Sequence, residues 1–167
     1  MGLGTGYMIY GTQELFNYPR RDERVDFATG MWGIWMPGLM QLITGVYLFL
    51  GLTLFGTFTD PLLYMAALAF TAYGVHWFAI GWNRLRQADA RANVGMTVAF
   101  TFVSVLGIIV FFKGGDDGVG GLVIGLTCIY VAGFLASMKV DLPERYGILA
   151  ERALGLFHLG TGLWLSI

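Results

Sequence analysis

The sequence predicts an all-α integral membrane protein, a six-transmembrane-helix bundle forming one domain over residues 1–167. Three observations predict it. Of the 167 residues 56% are hydrophobic and only 13% charged, whereas an ordinary soluble domain carries roughly 25% charge. A soluble chain this short cannot bury so much apolar surface, but lipid solvates it directly. Long uncharged stretches recur along the chain, and its basic residues fall almost entirely on alternate connections.

The elements follow in order, with expected spans over about 3–17, 28–52, 61–83, 93–112, 118–138 and 149–167. The first is the weakest, being short and carrying Gln13 and Glu14. At 1.5 Å per residue it barely crosses a bilayer, so it is either a partial helix or preceded by further residues. Met1 to Phe16 holds neither Lys nor Arg, so the basic start of a secretory signal is absent. From Phe27 to Thr59 there is no Asp, Glu, Lys, Arg or His, and Asp60-Pro61 closes the stretch. Pro61 to Asn83 has His76 as its only ionisable group besides tyrosine. Asn93 to Phe112 and Gly118 to Met138 are uncharged and flank the polar turn Lys113-Gly-Gly-Asp-Asp117. A last apolar segment is entered through Glu151 and Arg152. Glycine, at 25 residues, is about twice its usual share of roughly 7%, which suits close helix packing in lipid.

Orientation follows from charge. Arg20, Arg21, Arg24, Arg84, Arg86, Arg91, Lys139, Arg145 and Arg152 lie on the first, third and fifth connections or at their helix ends, against Lys113 alone on the others. The positive-inside rule makes the nine cytoplasmic and puts both termini outside the cell membrane. If the first segment does not span, the N-terminus moves inside.

Each span carries a narrow polar stripe at helical spacing: Tyr7, Tyr10 and Glu14; Pro37, Gln41 and Thr44; Tyr73, His76 and Asn83. The later spans offer Thr97, Thr101 and Ser104; Thr127 and Tyr130; Glu151, Gly155, His158 and Gly162. Spacings of three, four and seven place such groups on single faces, which lipid does not tolerate and which turn toward other helices or a cavity. The hydroxyls also serve as interhelical glue, and Pro37 reads as a mid-span kink. Glu14, His76 and His158 are the candidate proton-linked groups, because an ionisable side chain in a membrane is expensive unless used.

Several classes are excluded or disfavoured. A net charge of −1 leaves no basic footprint for nucleic acid. Cys128 is the only cysteine, so neither a disulfide framework nor a Cys-based zinc site exists within the chain. The two histidines lack a third ligand, and neither a phosphate loop, an HExxH pair nor a serine elbow is present; no metal, cofactor or enzymatic activity is expected. With no Lys or Arg in mid-span, a permeating anion is expected to meet no fixed positive charge, favouring a small neutral solute or a weak acid in protonated or hydrogen-bonded form.

Gly33-Ile-Trp-Met-Pro-Gly-Leu-Met-Gln-Leu-Ile-Thr-Gly45 and Ala69-Phe-Thr-Ala-Tyr-Gly-Val-His-Trp77 resemble the acetate uptake transporter family of the bacterial succinate-acetate permease type. That family shows Gly-Ile-aromatic followed by Gly, Gln and Gly, and then Ala-Phe-Thr-Ser-Tyr-Gly-x-Phe-Trp. Gly125 to Tyr130 and Gly155 to Gly162 resemble its fifth and sixth helices more loosely. The resemblance implies a six-helix, pore-forming protomer assembled as a homohexamer in the lipid bilayer, passing small monocarboxylates such as acetate, with succinate a further solute. It also implies a constriction of Phe, Tyr and Leu, carried here by Tyr10, Tyr73 and Leu126. Gln41, Thr44, His76, Trp77 and Thr127 are the polar candidates along the solute path. Whether the pore is a channel or a proton-coupled transporter stays open.

The family's Asn-Pro-Ala-Pro-Leu-Gly signature is absent, and the Gly51 to Pro61 connection is longer than the family's. Termini outside, together with Glu151 entering the last helix, instead resemble the urea and short-amide channel family, which also forms six-helix hexamers.

Overall fold

The structure is a computed structural model and describes residues 2–166, so Met1 and Ile167 of the expected domain lie outside the described residues. It is all-helical. α1 spans Gly2–Phe16, α2 Glu23–Gly33, α3 Leu39–Thr53, α4 Leu62–Leu85, α5 Val94–Lys113, α6 Asp117–Ser137 and α7 Glu144–Trp164. α2 and α3 are joined without a break by a π-helical turn, Ile34–Gly38, and a 3₁₀ turn, Ala90–Asn93, leads into α5. Among the described residues these join into six helical rods. Four of them are long and apolar enough to cross a membrane: Glu23–Thr53, α4, Ala90–Lys113 and α6.

The remaining two rods fall short of that standard for different reasons. α1 has only 15 residues, about 22 Å of axis at 1.5 Å per residue. α7 has the length, but Glu144, Arg145, Glu151 and Arg152 occupy its first half. Two expected starts also move toward the N-terminus. α2 begins at Glu23 because the Asp22 carboxylate accepts from the Val25 N–H at 2.8 Å, capping the helix five residues before the apolar stretch. α7 begins at Glu144 directly after Pro143. Glu and Arg are good helix formers, so hydropathy locates a helix's apolar stretch and not its ends.

The expected kink at Pro37 takes a definite form. Proline has no N–H to donate and its ring crowds the carbonyl four residues back. The chain responds by widening one turn, so that the Leu39 N–H reaches Ile34 O, five residues back. Pro37 is fully buried against α1, where a side chain on Gly6 would meet its ring at 2.6 Å.

Consecutive rods pack side by side, and the last returns to the first: α1 on the π turn, α2 and α3 on α4, α4 on α5, α5 on α6, α6 on α7, and α7 on α1. Glycine lets the ring close. A Cβ on Gly155 of α7 would lie 2.5 Å from the Leu15 amide nitrogen of α1, and Gly30 and Gly81 bring α2 and α4 together in the same manner. Aromatic and aliphatic side chains fill the interior, among them Tyr7, Tyr10, Tyr73, Trp77, Leu126 and Tyr130. The outside is also apolar. Phe102, Trp35, Tyr47, Ile109, Val131 and Leu149 are exposed around the ring, forming a surface that water solvates poorly.

Candidate functional site

The axis of the ring holds two cavities at opposite ends. The larger, about 460 Å³, opens where the basic connections gather and is lined by residues including Tyr10, Glu14, His76, Trp77, Arg84 and His158. The smaller, about 290 Å³, lies at the other end and is lined by residues including Gly4, Gln41, Thr44, Tyr73, Phe111 and Leu126. They share no lining residue. On α4 the boundary falls between Tyr73 and His76, and on α6 between Leu126 and Ile129. Three residues of helix rise about 4.5 Å, so along α4 and α6 the barrier between the cavities is close to one helical turn thick. On α1 it runs from Gly4 to Tyr10, and on α7 from its C-cap Leu165 to His158, about two turns in each case.

Rings build that barrier. Tyr7 of α1 lies 5.4 Å from Trp77 of α4, Tyr10 meets the same indole edge-on at 5.0 Å, and Tyr73 lies 5.5 Å from Tyr130 of α6. Phe100 of α5 supports the far side, 4.7 Å from the His76 ring and 5.9 Å from Tyr73. The hydroxyls are anchored laterally: Tyr73 to Ser104 at 2.8 Å, Tyr130 to His76 Nδ1 at 3.1 Å, and Tyr10 donating to the Thr29 carbonyl at 3.0 Å. Such cross-links fix each ring's position against its neighbours.

Two buried polar side chains, one on each side of this layer, carry atoms with no protein partner. Both amide atoms of Gln41 are unpaired, although only 2% of the residue is exposed, and so is Nε2 of His76. Leaving a buried donor or acceptor unmade costs about 1–3 kcal/mol, so most such groups are paired in folded proteins. Gln41 lines the smaller cavity and His76 the larger.

A charged cluster sits in the wall of the larger cavity. Glu14 Oε2 of α1 lies 2.5 Å from His158 Nδ1 of α7, and Glu14 Oε1 lies 3.9 Å from Arg84 Nη2 of α4. The Arg84 side chain is 9% exposed; its guanidinium rests on the Tyr10 ring, 4.0 Å from the centroid. Its Nη1 donates to Thr29 Oγ1 at 3.0 Å and to Gln13 Oε1. No Lys or Arg stands in mid-span, but Arg84, at the last turn of α4, reaches across to α1 and α2 and brings a fixed positive charge into the wall of the larger cavity. Outside the helices, Arg21 is held by Asp26 at 2.9 and 3.1 Å. Burial alone would lower the Arg21 pKa, but the hydrogen bonds and charge of Asp26 outweigh it and raise the value.

The structure distributes the other expected site residues as follows. Tyr73 and Leu126 line the smaller cavity at the barrier, and Tyr10 lines the larger one. Tyr7, one turn earlier on α1, lines neither cavity and stacks on His158 at 5.0 Å. Trp77 and His76 line the larger cavity, and Gln41 and Thr44 the smaller. Thr127 lines neither; its hydroxyl donates to Val123 O at 2.9 Å within its own helix. Glu14 and His158 come together, while His76 belongs to a separate pair with Tyr130. Phe100 carried no signal in the sequence. Arg84 did carry one, since it follows Trp77 by seven residues and so shares its face. Among the described residues, no group of three or more His, Cys, Asp or Glu side chains is placed to hold a metal ion. Compared with family models, curated proteins and solved structures, the chain matches none.

Proposed function

We propose that this chain is a six-span membrane protein whose ring of helices encloses a path for small monocarboxylates such as acetate. The observation that carries the reading is the aromatic layer between two axial cavities, thinnest along α4 and α6, with the unpaired Gln41 amide on one side and the unpaired His76 Nε2 on the other. A layer so aromatic suits a small solute that has shed both water and charge. The unpaired groups supply hydrogen bonds in place of that water. The resemblance of Gly33 to Trp77 to acetate uptake transporters supports the same solute class and a hexameric assembly. The exposed apolar girdle supports insertion in a lipid bilayer.

One observation favours a second reading. The Gln41 amide has both its donor and its acceptor free, which complements urea or a short amide as well as it does a protonated acid. Proteoliposomes given labelled acetate and labelled urea separate the two. Acetate flux, reduced by a change in Gln41, supports the monocarboxylate path. Urea flux without acetate flux would replace it, and flux of neither would reduce the polar groups to interhelical glue. Nine basic residues on one set of connections orient both termini outside the cytoplasm in this reading. Labelling of a terminal cysteine in intact cells tests that orientation, and protection until lysis would reverse it.

A further inference from the structure

We infer that Arg84 is a docking site for the anionic form of a small monocarboxylate, at the basic end of the path and outside the aromatic barrier. The inference rests on the monocarboxylate reading above and adds a residue and a charge state to it. A guanidinium presents five N–H donors in a fixed fork and pairs best with a carboxylate, edge to edge. Arg84 does not have that partner. One amino group is taken by two neutral acceptors, Gln13 and Thr29, and one face by the Tyr10 ring. The other amino group, Nη2, has Glu14 Oε1 at 3.9 Å, beyond hydrogen-bonding distance.

Glu14 is committed elsewhere, with its second oxygen 2.5 Å from His158. One carboxylate therefore serves both Arg84 and His158. The nearby charges do not make up the difference. Arg21 is paired with Asp26 and Lys139 with Glu151, which leaves Arg84 and Arg152 against Glu14 among the charged side chains that line the cavity. The guanidinium is thus immobilised in a cavity wall, nine-tenths buried and short of a full counter-ion. Burial strengthens the attraction for an incoming anion relative to water. Trp77 and Ile80 line the same cavity and give an acyl chain of one or two carbons an apolar surface, so the ligand class is a short-chain carboxylate. A neutral amide of the same shape gains nothing from the charge.

The test is calorimetric titration of the full-length, detergent-solubilised protein with acetate at pH 7, with acetamide as the neutral isostere. Labelled-acetate flux is measured in parallel in proteoliposomes. Wild type is expected to bind acetate in preference to acetamide. Arg84→Gln is expected to weaken acetate binding at least tenfold and Arg84→Lys to retain part of it. Glu14→Gln is expected to tighten binding severalfold, because it removes the internal competitor for the guanidinium. Helical circular dichroism and gel filtration report folding; should Arg84→Gln not fold, the opposite effects of Arg84→Lys and Glu14→Gln decide. Equal affinity for acetate and acetamide, or Glu14→Gln binding acetate no tighter than wild type, would overturn the site. Flux with acetate binding indifferent to Arg84 rejects the site and keeps the transport reading. Arg84-dependent binding without flux keeps the site and rejects transport.

Discussion

His158 Nδ1 lies 2.5 Å from Glu14 Oε2, joining the last helix to the first at the seam where the ring of rods closes. Both side chains are largely buried, 9% and 14% exposed, so neither is well solvated if the other is removed. Breaking a buried pair by deleting one member costs about 3–5 kcal/mol. Glu14→Ala and His158→Ala are each expected to destabilise the protein toward the lower end of that range. The double variant should lose less than the sum of the two. Thermal unfolding in detergent measures the cycle, and strict additivity would show that the contact carries no coupling.

The same seam depends on Gly155. A methyl group there meets the α1 backbone at 2.5 Å, whereas a methyl on Gly160, five residues on in the same helix, meets nothing within 4 Å. Gly155→Ala is therefore expected to destabilise by about 1–3 kcal/mol through overpacking. Gly160→Ala should be neutral or stabilising by up to about 1 kcal/mol through helix propensity. The ranking of the two melting temperatures checks this, and equal effects would place the seam elsewhere.

Gln41 offers a prediction in which stability and function move in opposite directions. Its amide atoms are buried and unpaired, so Gln41→Leu, of similar volume, removes two desolvated groups. The expected gain is about 1–3 kcal/mol, accompanied by loss of solute flux. A variant that loses stability instead would mean that the amide is satisfied within the protein and has no part in the path.

The pH dependence of uptake separates two causes. A carboxylic acid with a pKa near 4.3 is neutral in about one molecule in 500 at pH 7 and about one in six at pH 5, so crossing in neutral form predicts a rise of roughly 80-fold. If the solute's own protonation sets the profile, His76→Phe leaves its shape intact. Should His76 act as a gate, the variant loses a transition near neutral pH, even with a solute that does not titrate. We expect the first outcome, because the family that the Ala69 to Trp77 stretch resembles carries Phe at this position. A flat profile from pH 5 to 8 would dismiss the weak-acid path.

The amino-acid sequence by itself determined the all-helical class, the location of the apolar helices and the placement of the basic residues. Each of these rests on properties local to the chain: hydropathy over some twenty residues, helical spacing and the charge of turns. Of the polar stripes, Tyr7, Tyr10, Gln41, Tyr73, His76, Ser104, Tyr130 and His158 are buried in the ring, whereas Thr44, Thr101 and Thr127 stay partly exposed and bond the backbone of their own helices. Helix ends were less legible, since Asp22 and Pro143 act through backbone geometry that hydropathy does not register. Only the tertiary structure decided which inward-facing groups meet. The order of rods around the ring brings Glu14 to His158 across 144 positions of sequence and puts Tyr130 beside His76. It also brings Tyr7 and Tyr10 together on the Trp77 indole. Arg84 is the sharpest case: its spacing puts it on the face of Trp77 at the last turn of α4, but a flexible side chain reaches about as far as a helical turn is long. Whether it turned outward to water or back onto Tyr10 depended on the neutral acceptors Gln13 and Thr29, which two other helices hold in place.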